Sequence, residues 1–400
     1  MRWPSDAPAF LLGVATSGHQ VDGDSPPVHN DWTDWEHAGR TREVSGAAVR
    51  HWQRFPEDLA LFRQLGANAY RFSLEWSRLE PAPGEYDDQV LAHYQEMVAT
   101  CRANGLEPLV TVSHFTLPTW LGGGWLSPAA PAHFAALAAR MAGALDAVRF
   151  WCTLNEPNVL AVMGYVEGQW PPGQHSPRAA AAVLLAQQRA HRAAYRAMKQ
   201  RRPGAWIGIA HSLVHFRPAR PTPGDRAAAW AADLLFNQWS IRGAGPQDFI
   251  GVNYYAPRWV SPSTLMNPSL VGPTPGPTTD MGWSIAPDGL LAILGRLGRR
   301  RMPLLVTENG IATDDEAQRA AYIAEHRAAL DLARAAGADV RGYFYWSGLD
   351  NFEWAEGYRR HFGLIAVERS TQVRTVKAGA AAFTAWARAT RPGAPPPPPR

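Results

Sequence analysis

Eight times along this chain a short run of β-branched and aromatic residues gives way to a longer stretch with helical spacing. The strand-like runs are Phe10–Thr16, Ala69–Trp76, Pro108–Phe115, Phe150–Asn155, Trp206–Ser212, Asp248–Tyr255, Leu304–Glu308 and Val340–Trp346. After or between them come helix-like stretches over Pro56–Leu65, Asp87–Asn104, Pro131–Leu145, Arg178–Gln200, Asp225–Ser240, Pro287–Gly298, Asp314–Ala336 and Val376–Arg388. Gly66, Gly105 and Gly337 stand where such helices stop, and Asp314 is placed to cap the one it opens. Runs such as VTVSHF and LLVTENG are nearly continuously apolar rather than alternating, as strands covered on both faces are. Eight β-then-α units predict an α/β fold of one kind, a single (β/α)8 TIM barrel. The rival, an open doubly wound sheet, needs a Gly-rich turn after its first strand, and LLGVATSGHQ does not fit GxGxxG.

The length of 400 residues allows two or three ordinary domains, but a barrel of this kind takes most of it as one. We therefore expect one domain over residues 1–390 and a Pro-rich disordered tail, PGAPPPPPR, within 391–400. With 46% apolar and 18% charged residues the chain is globular. Its net charge of +4 comes from scattered Arg, only Lys199 and Lys377 being Lys, so nucleic acid is not an expected partner. Cys101 and Cys152 lie in apolar runs and make no disulfide framework. The start, MRWPSDAP, leads into no long apolar stretch, which excludes a membrane segment there and predicts a cytoplasmic protein. The 17 Trp exceed what a barrel core requires, and a flat apolar face carrying one N–H suits a sugar-binding cleft.

Barrel chemistry sits at the C-terminal strand ends. Those ends carry Gln20, Arg71, Glu75, His114, Asn155, Glu156, Asn253, Tyr255, Glu308 and Trp346. The set holds carboxylates, amides and aromatics, with no nucleophilic Ser/His/Asp group, no metal-ligand cluster and no phosphate loop, so neither metal nor cofactor is expected. Two carboxylates facing each other across a barrel mouth are what glycoside hydrolysis uses, one giving a proton to the leaving oxygen and one attacking the anomeric carbon. A strand-end Glu can equally be a structural ion-pair partner. Glu75 reads as such a supporting residue beside an Arg, His211 as a satisfied core histidine and Cys152 as packing, while Trp32, Trp35, Trp120 and Trp170 could line the cleft or pack loops.

Two short motifs lift Glu156 and Glu308 out of that ambiguity. TLNEP (Thr153–Pro157) and VTENG (Val306–Gly310) resemble the two signatures of glycoside hydrolase family 1, the β-glucosidase family. The resemblance spans nearly the whole chain through AYRFSLEWSRLEP, VTVSHFTLP, DFIGVNYY and GYFYWSGLDNFEWAEGYRRHFGL, and GHQVDGD stands where the family often has YQIEGA. It implies a retaining, exo-acting β-glycosidase, foremost a β-glucosidase, with Glu156 as acid/base and Glu308 as nucleophile. Asn155, Gln20, His114, Tyr255, Trp346, Glu353 and Trp354 are then substrate-binding residues, supported by Arg71, Asn253 and Phe362. Substrates are β-glycosides or short oligosaccharides.

Relatives acting on 6-phosphorylated sugars carry Ser, Lys and Tyr where this chain has Glu353, Arg360 and Phe362, and a carboxylate at Glu353 repels a phosphate. The acid Glu that S-glycosidases lack is present. The alternatives are a catalytically dead sugar-binding relative, a galactoside- or fucoside-preferring member, and a hydrolase cutting inside polysaccharides. The connection between strands five and six, about 35 residues, lacks a run the family usually carries there, and is expected to leave the cleft wall open unless the Pro-rich loop Ser261–Thr279 fills the space.

Overall fold

The computed structural model describes residues 3–266 and 274–390. Eight parallel strands close into a barrel: β1 (Leu11–Ala15), β2 (Ala69–Ser73), β3 (Glu107–Ser113), β4 (Phe150–Asn155), β5 (Trp206–Ser212), β6 (Phe249–Asn253), β7 (Leu304–Asn309) and β8 (Val340–Trp346). Each neighbours the next, and β8 closes on β1 in a register pairing Leu11 with Gly342 and Ala15 with Trp346. The predicted single (β/α)8 barrel is the observed fold.

The barrel lumen is filled by Leu11, Leu109, Phe150, Trp206, Phe249, Leu305 and Phe344, all buried, with Cys152 among them. A second, larger apolar layer joins the outer strand faces to the helices, through residues such as Leu59, Phe62, Met141, Val183, Leu294 and Leu330. Both thiols are buried and unpaired. Among the described residues no helix is long and apolar enough to cross a membrane.

Several boundaries differ from the sequence reading, each for a local reason. The helix expected from Pro56 begins at His51 and runs to Gln64, because Trp52 and Phe55 already belong to the buried face continued by Leu59 and Phe62. Asp315, not Asp314, caps Glu316–Ala335, accepting from the N–H groups of Ala317 and Gln318. Asp314 instead binds His361. The last helix is Ala380–Ala389, and Val376 ends a small antiparallel pair, Ile365–Val367 with Arg374–Val376. The stretch expected as one helix over Asp225–Ser240 is three: Pro223–Ala232, a π-helical turn over Asp233–Gln238, and Trp239–Ala244. Part of the Pro-rich loop, residues 267–273, and the tail 391–400 lie outside the described residues. The ends of that loop are held by a short parallel pair, His215–Pro218 with Pro257–Val260, and by a bridge between Thr278 and Ser284.

Pairing slips at two places that matter for the mouth. From Cys152 to Asn155 β4 spends one residue more than β5 spends from Gly208 to Ala210, and from Val306 to Glu308 β7 spends one more than β6 spends from Val252 to Asn253. An extra residue in one strand re-aims the side chains that follow it. Both strands that carry a motif glutamate at or just past their end therefore bulge before it.

Candidate active site

Glu308 lies near the end of β7, after the bulge, and both of its carboxyl oxygens accept hydrogen bonds. Arg71 Nη1 donates to Oε1 at 2.5 Å and the Tyr255 hydroxyl to Oε2 at 2.6 Å. Arg71 is fully buried on β2 and spends its other donors on the Thr111 hydroxyl at 3.0 Å, the Thr307 carbonyl at 3.1 Å and Asn155 Oδ1 at 2.7 Å. A buried guanidinium is tolerable only when its donors are satisfied in this way. One side chain thus ties β2 to β3, β4 and β7. Gly310 follows Asn309 where a side chain would strike the Trp346 carbonyl, which keeps β7 and β8 in close approach.

Glu156 is set differently. It is the first residue past β4, with φ of +44°, and its N–H donates to the Ala210 carbonyl at 2.7 Å. For a non-glycine residue this is an uncommon conformation, kept where the surroundings over-determine it. Its Oε1 accepts from Asn253 Nδ2 at 3.0 Å. Asn253 can donate there because its own Oδ1 accepts from the Thr307 hydroxyl at 2.7 Å. Burial first, and the nearby charge of Glu308 second, push the Glu156 carboxyl up to about 8, against hydrogen bonds from Asn253 and Ser212 and the attraction of Arg71. At neutral pH it keeps its proton. Asn155 Oδ1 accepts from both Arg71 and Asn253, so an unbroken chain Glu308–Arg71–Asn155–Asn253–Glu156 joins the two carboxyl groups.

Beside this pair the mouth is lined with groups suited to hydroxyls. Asn155 Nδ2 donates to His114 Nε2 at 3.0 Å, which leaves His114 its proton on Nδ1, and Nδ1 is buried without a protein partner. Burial and the positive charge of Arg71 hold that imidazole well below its ordinary pKa, so it is neutral. Gln20 Nε2 donates to the Phe352 carbonyl at 2.8 Å and to Asn351 Oδ1 at 3.1 Å, and its Oε1 is likewise buried without a partner. A leftover donor and a leftover acceptor each suit a hydroxyl, which both gives and takes. Glu353 approaches the same Gln20 amide at 3.3 Å, and burial followed by the charge of Glu308 raises its carboxyl to about 8. The His114 ring is near-parallel to Trp346 and to Trp354, with centroids 5.8 and 6.2 Å away. Phe362 packs edge-on behind Tyr255. Among the described residues no cluster of His, Cys, Asp or Glu is arranged to hold a metal ion.

The family model described as Glycosyl hydrolase family 1 matches residues 3–244 and 237–391 of the chain. The chain belongs to glycosyl hydrolase family 1. This family 1 chain is a glycoside hydrolase, and relatives match it over nearly their full length. It is 32% identical to beta-glucosidase A of Thermotoga maritima, over 92% of this chain and 94% of that protein. It is 31% identical to a bifunctional beta-D-glucosidase/beta-D-fucosidase of Bifidobacterium breve, over 92% and 95%. The solved structure of a beta-glycosidase from Pyrococcus horikoshii superposes with a TM-score of 0.89 at 35% identity, covering 97% of this chain and 95% of that one.

Every site residue picked from this family 1 sequence lies in one connected region. Glu156, Glu308, Asn155, Arg71, Asn253, Tyr255 and His114 form one hydrogen-bonded network, with Gln20, Glu353, Trp346, Trp354 and Phe362 around it. Glu75 binds no arginine among its hydrogen bonds: its carboxylate accepts from the Ser77 and Thr116 hydroxyls at 2.7 and 2.9 Å and caps the helix Trp76–Leu79. His211 is a core residue, bonded to Ser240 and Gln247, its pKa lowered by burial to about 3. Trp32 and Trp170 pack on Trp354 with centroids 4.5 and 5.9 Å away. Trp120 donates to the Glu80 carbonyl, and Trp35 lines a hollow of about 430 Å³ with Leu117 and Pro171. Sequence reasoning missed Thr111 and Thr307, whose hydroxyls orient Arg71 and Asn253, and Trp283, which packs on Tyr255 at 5.7 Å. Strand position signals the two threonines; nothing in the local pattern around Trp283 does.

Proposed function

We propose that this protein is a retaining, exo-acting β-glycosidase that prefers terminal β-D-glucosyl residues, with Glu156 as acid and then base and Glu308 as nucleophile. The observation that carries the reading is the contrast between the two carboxyl groups. Glu156, raised to about 8, is supplied with a proton to give to the departing glycosidic oxygen. Glu308 has two donors aimed at its oxygens, Arg71 and the Tyr255 hydroxyl, which orient it for attack at the anomeric carbon. Attack forms the Glu308–glycosyl ester as the leaving oxygen takes the Glu156 proton. Glu156, now ionised, removes a proton from water, and the water oxygen displaces Glu308 to release the β-anomer.

The unpartnered Gln20 Oε1 and His114 Nδ1–H, with Glu353, support binding of hydroxyls on the terminal sugar, and Trp346 and Trp354 support stacking beneath it. Asn155 is positioned through Arg71 and Asn253 to meet the 2-hydroxyl. The glucoside preference, with fucosides as secondary substrates, follows the names of the Thermotoga and Bifidobacterium relatives. A Glu353 carboxyl raised to about 8 can both give and accept a hydrogen bond and offers no positive charge, which supports free hydroxyls rather than a 6-phosphate. A cytoplasmic location is part of the proposal, supported by two unpaired, buried thiols and tested by cell fractionation.

Turnover of aryl glycosides with gluco, galacto, fuco, manno and xylo configuration tests the substrate, the β-glucoside being expected to give the highest kcat/KM. A 2-deoxy-2-fluoro β-glucoside should label Glu308 alone on peptide mapping. Label on Glu156, or the α-anomer as first product, would overturn the mechanism.

A further inference from the structure

The residue before Gln20 takes no part in the chemistry above, yet it is among the most closely held side chains at the mouth. His19 sits on the short helix Gly18–Val21 and is 8% exposed. Both ring nitrogens are engaged. Asn30 Oδ1 accepts from the N–H and hydroxyl of Thr33 at 2.8 and 3.0 Å, which turns the Asn30 amide nitrogen toward His19 Nδ1, 3.2 Å away. Nδ1 is therefore the acceptor, and Nε2 donates to Glu36 Oε1 at 2.6 Å. Glu36 is itself buried, and its second oxygen accepts from the N–H and hydroxyl of Ser45 at 2.6 and 2.7 Å. Rotating or tilting the imidazole breaks bonds at both ends in a place with little water to replace them.

The ring so fixed lies against Trp354. The two planes are 7° from parallel with centroids 5.6 Å apart. Trp354 needs an external constraint, because its φ of +49° is one a bulky side chain adopts only when neighbours impose it. His19 also meets Phe352 edge-on at 6.1 Å, while the side chain of Gln20 holds the Phe352 carbonyl. Two consecutive residues after β1 thus grip the segment bearing Glu353 and Trp354 from two chemistries, one by ring packing and one by hydrogen bonds.

We propose that His19, clamped by Asn30 and Glu36, is a positioning residue that sets the plane of the Trp354 indole against the terminal sugar. The inference rests on the reading of Trp354 as a sugar-contacting residue. Both ring nitrogens of His19 are spent on Asn30 and Glu36, so its effect falls on recognition of the glycoside and not on the bond-breaking step.

The test is a double-mutant cycle measured with an aryl β-glucoside, combining His19→Phe with Trp354→Phe. His19→Phe keeps a ring but loses both polar anchors, and is expected to raise KM about tenfold while kcat stays within about twofold. Glu36→Gln, which still offers an oxygen to Nε2, should do the same more weakly, and it carries the cycle if His19→Phe does not fold. In the Trp354→Phe background the His19→Phe effect on KM should shrink below about twofold, because the ring it positions is gone. Equal factors in both backgrounds, or a lowered thermal midpoint with KM unchanged, would overturn the proposal and leave His19 as packing. If Trp354→Phe itself leaves KM unchanged, the sugar contact of Trp354 is wrong and the inference falls with it. If Trp354→Phe raises KM and His19→Phe does not, the positioning role alone is wrong.

Discussion

The ends of β4 and β7 present the same functional group in opposite settings. Both strands bulge before a glutamate, and both glutamates are buried. At β7 the carboxyl meets a guanidinium and a phenol hydroxyl, while at β4 it meets an amide and a hydroxyl, and the charge of the other glutamate adds to burial in raising its pKa. Identity of side chain therefore says nothing about role here. The partners do, and Arg71 is the residue that makes the two ends unlike, because it spends one arm on Glu308 and another on the Asn155 that faces Glu156's own donor.

The sharpest way to break that contrast is to remove each carboxyl in turn. Glu308→Ala should lower kcat by about 10⁴-fold or more, and added azide should restore turnover with an α-glycosyl azide as product. Glu156→Ala should cost about 10²- to 10⁴-fold, least for the best leaving groups, and azide should give the β-glycosyl azide. The same anomer from both variants would mean the two ends have been assigned wrongly. Tyr255→Phe removes one of the two donors on Glu308 and should lower kcat about 10- to 100-fold, measured under saturating aryl glucoside.

Smaller effects come from charge alone. The basic limb of kcat/KM should report loss of the Glu156 proton near 8. Since the charge of Glu308 is the second cause of that elevation, Glu308→Gln should move the Glu156 titration to lower pH, read from the carboxyl ¹³C resonance. No movement would show that burial acts alone. The smallest effect is on stability. Folded Glu156 holds its proton up to about 8, whereas an unfolded glutamate loses it near its ordinary value of 4.5. Between those limits the native state binds the extra proton, so its stability falls as pH rises. Glu156→Gln escapes this, and its thermal midpoint should exceed that of the parent by more at pH 8 than at pH 5; a constant gap would contradict the titration.

Much of the site could be read from sequence because strand ends are marked by the apolar runs that precede them, and TLNEP and VTENG single out the two ends whose glutamates join one hydrogen-bonded network. What sequence reading missed is register and pairing. The bulges in β4 and β7 depend on how many residues a neighbouring strand uses, which neither strand records by itself. The two consecutive aspartates at 314 and 315 offer the same cap, and in the fold the first meets His361, distant in sequence, while the second caps the helix. Pro56 resembles a helix start, but the apolar face that begins at Trp52 overrides it. His19 and Glu36 stand 17 residues apart in sequence, and nothing in either local pattern announces their contact.

The two thiols described at the outset of the fold carry a practical consequence. Cys152 sits in the barrel lumen and Cys101 on a helix face turned inward, and burial raises the pKa of both, Cys152 to about 11. Maleimide and iodoacetamide reagents, which need an accessible thiolate, should leave the native protein unlabelled. A single cysteine introduced at an exposed position such as Trp230 then becomes a unique attachment point for a fluorophore or a surface tether, with no need to rebuild the core first.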